Sequence, residues 1–248
     1  MIKLNDFGII IEARTGSQRL HKKILKKISG NLTIFELLLK KIKKQKIIKK
    51  IVVATTSKKE DDIICKICDK LNVDYFRGSE NNLINRVSEA AKFNSIKHII
   101  QITSDNLFFE KSIFKKLIKI YQTGKYDFAS NSLKKTFPLG SDIRIFSLKK
   151  LIENKNEVKG KNKQHTCHFF LTKLNRIKYF NLEAKKNYYR PNYRLTLDYP
   201  EDLKLYKIII RKLGKNVNLR KIIKFLDKNP DLVNINSLKK SPYYWIKS

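Results

Sequence analysis

The sequence predicts an α/β fold built on a mostly parallel sheet, and three observations carry that prediction. Short apolar runs of strand length alternate four times in succession with amphipathic stretches of helix length between Phe7 and Thr103. Alternation of this kind marks strand–helix–strand units with right-handed crossovers. The first run, Phe7 to Ile11, passes without a turn signal into a loop holding Arg14, Gly16, Ser17, Arg19, Lys22 and Lys23, so a strand feeds a cationic loop. A length of 248 residues suffices for one substantial core, and a single domain over 1–248 is the expectation.

In the loop after the first strand, Gly16 permits backbone angles that other residues avoid. Successive N–H groups can then converge on one anion while Arg14, Arg19 and Lys23 add charge. The natural occupant is a polyphosphate, although a solvated turn is the competing reading. The loop is neither a Walker frame nor the dinucleotide G-x-G-x-x-G. Beyond it, Thr33 and Glu36 form a capping box, and Ile34, Leu37, Leu38 and Ile42 recur at helical spacing. Ile51 to Ala54 reads as the second strand. It ends in Thr55-Thr56-Ser57, at the edge where open α/β sheets bind ligands.

Asp61 and Asp62 open the next helix at its positive end, Ile64, Ile67, Cys68 and Leu71 continue its apolar stripe, and Asn72 stops it. Val73 to Phe76 is the third strand, followed by the turn Arg77-Gly78-Ser79-Glu80. A helix through Leu83, Val87, Ala90 and Ala91 leads to the strand His98 to Thr103 and then to Ser104-Asp105-Asn106. Asp105 therefore lands on the same sheet edge as the cationic loop, where it would serve either as a metal ligand or as an ordinary turn former.

A helix from Ser112 to Thr123 closes at Gly124. Strands at Asp127 to Asn131 and Ile143 to Phe146 flank the turn Phe137 to Asp142, and Asn154 to Lys163 reads as a loop without periodicity. A strand is expected to end at Asp198, with Pro200, Glu201 and Asp202 opening a helix that stops at Gly214. A last helix spans Leu219 to Leu226 before Asn229-Pro230, and Lys239 to Ser248 holds Tyr243, Tyr244 and Trp245 in no recognisable motif.

Lys plus Arg number 55 against 22 Asp plus Glu, a formal net charge of +33. That charge alone suggests a polyanionic partner or surface. The basic residues, however, are mostly Lys, spread along every predicted helix and mixed with Asn and Ile, as A·T-rich coding would produce. No Arg stripe interleaved with aromatics stands out, so nucleic acid is not the expected partner. Cys65 and Cys68 form a C-x-x-C on a helix with no second pair near them in sequence, and zinc is not expected there, with His165, Cys167 and His168 far away. Nowhere do 18 apolar residues run together, and the N-terminal apolar run ends at Glu12 without a small-residue cleavage site. A cytoplasmic protein without a membrane partner is the expectation.

Arg14-Thr15-Gly16-Ser17-Gln18-Arg19-Leu20, followed by Lys23 and Leu25, resembles the A-R-x-G-S-x-R-L-x-x-K-x-L signature of the cytidylyltransferases that make CMP-activated acidic sugars. Among these are the spore-coat-polysaccharide F-type proteins, CMP-Kdo synthetase and, further off, the acylneuraminate cytidylyltransferases. Gln101 to Phe108 resembles their R-x-T-x-D-x-P-L, and Arg194 to Leu203 their R-x-T-V-D-x-P-E-D-L. The turn at Pro138 to Asp142 is similar to P-x-G-x-D-x-x-x-F, and Gln164-His165-Thr166 to E-H-T. The chain departs from the pattern at His21-Lys22 for Pro-Gly, Gln101 for Arg, Leu107 for Pro, and Cys167-His168 for Pro-Tyr.

The resemblance implies a three-layer α/β/α Rossmann-like nucleotide-diphospho-sugar transferase fold, with a small sugar-binding and dimerisation lobe at about residues 132–190 and a homodimer. It implies transfer of CMP from CTP to a hydroxyl of an acidic sugar. Lys23, Arg14, Asp105 and Asp198 are then the catalytic residues, and Asp105 and Asp198 hold Mg2+. Ala13, Arg14, Gly16, Ser17, Arg19, Lys23, Thr55, Thr56, Arg77, Arg86 and Ser104 border the nucleotide, and Asp142, Gln164 and His165 the sugar. A sugar-1-phosphate nucleotidyltransferase, using Arg144 and Lys163, and a non-catalytic nucleotide-sugar binding protein are the alternatives.

Overall fold

The computed structural model describes residues 1–239. The tail aromatics Tyr243, Tyr244 and Trp245 lie outside them. The chain opens with β1 (Phe7–Glu12), the hairpin β2 (Lys27–Ser29) and β3 (Leu32–Thr33), α1 (Ile34–Lys43), β4 (Lys50–Thr56), α2 (Asp62–Leu71), β5 (Asp74–Gly78), α3 (Leu83–Phe93) and β6 (His98–Thr103). It continues with α4 (Lys111–Tyr121), β7 (Phe128–Ser130), β8 (Arg144–Ser147), α5 (Leu148–Asn154), α6 (His168–Thr172), β9 (Tyr179–Asn181), α7 (Pro200–Leu213), α8 (Leu219–Asp227) and α9 (Pro230–Asn234). Among the described residues, one seven-stranded sheet runs in the order β5-β4-β1-β6-β8-β7-β9. Its β5–β4, β4–β1, β1–β6 and β7–β9 pairs are parallel, and β8 runs antiparallel to both its neighbours.

Local chemistry accounts for most element ends. The Thr33 hydroxyl accepts from the Glu36 N–H at 3.2 Å while Glu36 Oε2 accepts from the Thr33 N–H at 2.9 Å, the reciprocal cap the sequence predicts. Asn72 closes α2 in the left-handed region, and Gly124 and Gly214, both at positive φ, follow α4 and α7. Along β1, Ile9 and Ile11 join the core beneath α1, α4 and α7, whereas Ile10 joins the second core beneath α3 and α5. With both faces covered, a central strand must be apolar throughout, and that is why its sequence does not alternate.

The order of the strands locates a crevice. From β1 the chain moves outward through β4 to β5, then returns to place β6 on the other side of β1. The strand order therefore reverses between β1 and β6, and open α/β sheets take ligands at such a point. Among the described residues no helix is long and apolar enough to cross a membrane.

Two expectations need correction, and one element is new. Tyr193–Asp198 is not a strand of the sheet. It is an extended segment that bridges Leu139 once, with Leu139 N–H donating to Tyr193 O at 2.9 Å and Leu195 N–H to Leu139 O at 2.6 Å. Gly140 (φ 96°) permits this approach, since a Cβ there would stand 2.2 Å from the Leu195 carbonyl oxygen. Asn154–Lys163 is not a structureless loop, for 3-10 turns at Lys155–Glu157 and Gly160–Gln164 shape it. The hairpin of β2 and β3, turned by Gly30 at φ 55°, is an element no periodicity announces, since each strand is too short. Within residues 132–190, β8 and β9 extend the central sheet, so this region is continuous with the sheet that holds β1, β4, β5 and β6.

Candidate active site

Three segments distant in sequence meet at the carboxyl ends of β1 and β6. Lys23 Nζ donates to Asp105 Oδ2 at 2.7 Å and to Asp198 Oδ1 at 2.9 Å. Arg19 Nη2 donates to the same Asp198 oxygen at 2.7 Å, and Arg194 Nη2 to Asp198 Oδ2 at 3.1 Å. Backbone contacts create the meeting. The Leu197 N–H donates to the carbonyl of Asp105 at 3.2 Å, and the Tyr206 hydroxyl, from α7, reaches the carbonyls of Asp105 at 2.9 Å and Leu195 at 2.7 Å.

Asp202 fixes the turn that carries Asp198. Its carboxylate accepts from the N–H groups of Asp198 and Tyr199 at 2.8 and 2.9 Å, from Arg194 Nε at 2.8 Å and from Asn236 Nδ2 at 2.7 Å. It is fully buried, and the charge-assisted bonds compensate that burial. As a first-turn acid Asp202 reaches back three and four residues to these N–H groups, a local cap, and only its bond to Asn236, 34 residues away, is legible solely in three dimensions.

Burial opposes charge on both Lys23 and Asp198, yet ion pairing prevails. Burial would lower the Lys23 pKa, but Asp105 and Asp198 hold it above the ordinary lysine value. Burial would raise that of Asp198, but Lys23 and Arg19 hold it below the ordinary carboxylate value. Counting Asp105, Asp198 and Asp202 against Arg19, Lys23 and Arg194, the bonded cluster is neutral.

The cationic loop is tied down by a residue the sequence presents only as a helix start. Asp61 Oδ1 accepts from both the N–H and the hydroxyl of Thr15 at 2.7 Å, and its other oxygen accepts from the Thr56 hydroxyl. Gly16 has no positive φ, contrary to expectation, and a Cβ there would meet only Glu60 Oε1 at 3.8 Å. The left-handed residue is Lys22, at φ 49°, standing where the resembling pattern has glycine. Arg14 Nη1 reaches Gln164 Oε1 at 3.2 Å, and Gln164 Nε2 reaches the Glu80 carbonyl at 3.1 Å, so the loop and the Gln164-His165 segment face each other. The Ser17 N–H turns inward to the Thr15 carbonyl at 2.8 Å.

The other expected nucleotide contacts are spread over the ends of β1 and β6, over β4 and β5, and over α3. Ala13 is buried, with its N–H on the Ala54 carbonyl at 3.3 Å, and Ser104 is buried with its N–H on the Glu12 carbonyl at 3.1 Å. Thr55 is fully buried, its hydroxyl without a partner among the described residues, and Thr56 is engaged by Asp61. Arg77 pairs with Asp62 at 2.6 Å and donates to the carbonyls of Thr56 and Lys58. Arg86 is buried and donates to the Ser79 carbonyl at 2.6 Å. Asp142, expected beside the sugar, is 4% exposed and bound to Arg144 Nη2 at 2.9 Å, so its carboxylate is already taken by an internal partner. His165 stays below the ordinary histidine pKa, by desolvation first and then by the positive field of Arg144 and Arg14 among its neighbours.

The donor set suits a hard divalent cation. Asp105 and Asp198 each place an oxygen on one common point, now the Lys23 ammonium, and Asp105 Oδ1 is buried with no partner among the described residues. No group of three or more His, Cys, Asp or Glu side chains among those residues is arranged to hold a metal. Mg2+ is commonly held by one or two carboxylates together with waters and substrate phosphates, so this pair fits it provided a substrate completes the shell.

A mostly parallel sheet with a cationic loop after its first strand and paired aspartates at its switch point fits a nucleotidyltransferase, and the comparisons with known proteins supply the class. The sequence pattern described as cytidylyltransferase matches residues 8–234. An uncharacterized protein of Methanocaldococcus jannaschii is 38% identical over 92% of this chain and 93% of its own length. The spore coat polysaccharide biosynthesis protein SpsF of Bacillus subtilis is 29% identical over 92% of this chain and 97% of its own. The solved structure of a cytidylyltransferase from Leptospira borgpetersenii superposes with a TM-score of 0.86 at 30% identity, covering 96% of this chain and 99% of that one. The chain belongs to the cytidylyltransferase family and is an enzyme of the nucleotidyltransferase class.

Proposed function

We propose that the protein transfers CMP from CTP to a hydroxyl of an acidic sugar of the ulosonic type, in the cytoplasm, for a surface polysaccharide or related glycan. The observation that carries this reading is the single point shared by Lys23, Asp105 and Asp198 beside the Arg14–Lys23 loop. The sugar hydroxyl gives up its proton to solvent as its oxygen attacks the α-phosphorus, the bond to the β-phosphate breaks, and pyrophosphate leaves with the displaced electron pair. Such a displacement needs positioning and charge stabilisation more than covalent chemistry. Arg14, Arg19 and Lys23 would supply the positive charge for the β and γ phosphates; the N–H groups of Thr15 and Ser17, on either side of Gly16, are bonded to Asp61 and to the Thr15 carbonyl. Held by Asp105 and Asp198, Mg2+ would neutralise phosphate charge and lower the pKa of the attacking hydroxyl. Ala13, Thr55 and Ser104 would wall the nucleotide, while Gln164 and His165 would face the sugar. The homodimer and the choice of cytosine rest on the family pattern.

The name of the Bacillus relative supports polysaccharide biosynthesis as the setting. A phosphate-bearing acceptor is the less favoured alternative, because the Arg144 it would use is already paired with Asp142. Pyrophosphate release measured across four nucleoside triphosphates, with a panel of ulosonic acids and sugar 1-phosphates as acceptors, tests the reading. Turnover with CTP and an ulosonic acid is expected. Preference for a purine nucleotide or for a sugar 1-phosphate would overturn it.

A further inference from the structure

We propose that Lys23 stands in for the divalent cation before the nucleotide arrives, so that the ion enters only together with the triphosphate. The inference rests on Asp105 and Asp198 being the metal ligands, as proposed above. The Lys23 ammonium contacts Asp105 Oδ2 and Asp198 Oδ1 at 2.7 and 2.9 Å, and an ion touching both carboxylates through those oxygens needs the same place. Two cations cannot share it. The surrounding charge gives the same answer. Arg19, Lys23 and Arg194 already balance Asp105, Asp198 and Asp202, so no net negative charge draws a divalent ion from water. A buried, neutral cluster is a poor cation site, since the ion would lose hydration without gaining uncompensated charge.

The triphosphate changes this balance. It offers the ammonium new anionic acceptors in the same loop, and the Lys23 stem can reach them without moving the backbone. Ile24, fully buried, and the 3-10 turn Lys23–Leu25 anchor the main chain, while four methylenes leave Nζ free to swing. Once Nζ moves to phosphate, Asp105 Oδ2 is released beside the unpartnered Oδ1 of the same carboxylate, and Asp198 Oδ1 keeps only Arg19. Three oxygens then face the arriving phosphates. Lys23 thus acts twice, first as counter-ion to the empty site and then as a phosphate ligand, and each role excludes the other. Nucleotide and ion must bind with positive coupling, and by linkage each tightens the other equally.

The test uses the full chain, with Mn2+ as the probe and free Mn2+ read by electron paramagnetic resonance, which requires no turnover. Wild-type protein alone should bind Mn2+ weakly, and saturating CTP should tighten binding beyond the affinity of CTP itself for the ion. In Lys23→Met the protein alone should gain on the order of tenfold or more in Mn2+ affinity, because a unit charge a few ångströms away has been removed. Asp198→Asn added to Lys23→Met should abolish the gain. Wild-type protein that binds Mn2+ alone as tightly as Lys23→Met does would overturn the proposal, and so would a folded Lys23→Met showing no gain. Should Lys23→Met fail to fold, the wild-type coupling decides, and equal Mn2+ affinity with and without CTP overturns the proposal. Failure of the underlying site looks different: Mn2+ bound by the wild-type CTP complex would then be indifferent to Asp105→Asn.

Discussion

Cys167 donates through Sγ to Oε1 of Gln101 at 2.9 Å, and the same amide donates through Nε2 to Glu12 Oε1 at 2.6 Å. The Thr166 hydroxyl reaches that Glu12 oxygen at 2.5 Å, so one short chain of bonds ties the segment after His165 to the ends of β1 and β6. Gln101 lies opposite Arg144 in the β6–β8 register, and Arg144 opposite Ser130 in the next pair, so the polar row continues across the sheet. Burial pushes the Cys167 thiol well above its ordinary pKa, which keeps it protonated and a donor. Gln101 and Cys167 are two of the positions at which the chain departs from the family pattern, and their bond makes the two departures one structural change.

A double-mutant cycle of Gln101→Ala and Cys167→Ala should therefore show coupling. Each single change is expected to cost about 1–2 kcal/mol of folding stability, with a coupling energy of about 0.5–1 kcal/mol. Chemical denaturation of the four proteins checks it, and strictly additive losses would show that the contact contributes nothing.

Gly16 and Lys22 should respond in opposite ways to what sequence convention suggests. Gly16→Ala has room for its Cβ and no positive φ to strain, so stability should hold or rise by up to about 1 kcal/mol. Its nucleotide affinity should fall if phosphate approaches the loop backbone there. Lys22→Gly removes a left-handed lysine and should stabilise by roughly 0.5 kcal/mol after the entropic cost of glycine. Thermal unfolding and nucleotide titration separate the two effects.

Asp105→Asn and Asp198→Asn keep volume, so both proteins should fold, while turnover should drop by about 100-fold or more in each. If both carboxylates hold one ion, the double variant should be little worse than either single one. Turnover against magnesium concentration is the measurement. Additive losses with unchanged magnesium dependence would mean that each aspartate merely shapes its own turn.

The pH dependence of stability should carry the mark of Lys41. Its Nζ lies 5.2 Å from the Phe108 ring centroid and donates to the Val217 carbonyl at 3.2 Å, and burial lowers its pKa from 10.5 to about 8. Between those values the unfolded chain binds the proton and the folded chain does not, so this group makes stability rise with pH across the window. Lys41→Met should flatten that rise and, at neutral pH, add about 1–2 kcal/mol once residual solvent screening is allowed for. Unfolding midpoints at pH 7 and pH 10 for both proteins decide it.

Where the signal is local, the sequence was a reliable guide. Buried parallel strands need unbroken apolar runs, so Phe7–Ile11, Ile51–Ala54 and His98–Thr103 were readable without neighbours. Caps are equally local, and Thr33 with Glu36, Asn72, Pro200 and Gly214 mark their helix ends through bonds and angles within a few residues. The ends of the first, second and fourth strands then put Arg14 to Lys23, Thr55-Thr56 and Asp105 on one edge, because a parallel sheet has only one carboxyl edge.

By itself, then, the sequence determined the strand and helix order, the edge that carries the site, and through its motifs the family. Tertiary structure decided which charges meet. Asp61 reads as a helix-start acid, since nothing along the chain reveals that it also holds Thr15, 46 residues away, whereas the Asp202 clamp on the Asp198 turn is a local cap spanning three and four residues. That Lys23 also pairs with Asp105 and Asp198 is invisible along the chain, because those bonds span 82 and 175 residues. The extended path of Tyr193–Asp198 followed from Gly140 and Tyr206, not from its own strand-like residues. Backbone propensity acts over a turn or two of chain. Ion pairing and close approach depend on distance in space, which only the packed sheet and its covering helices fix.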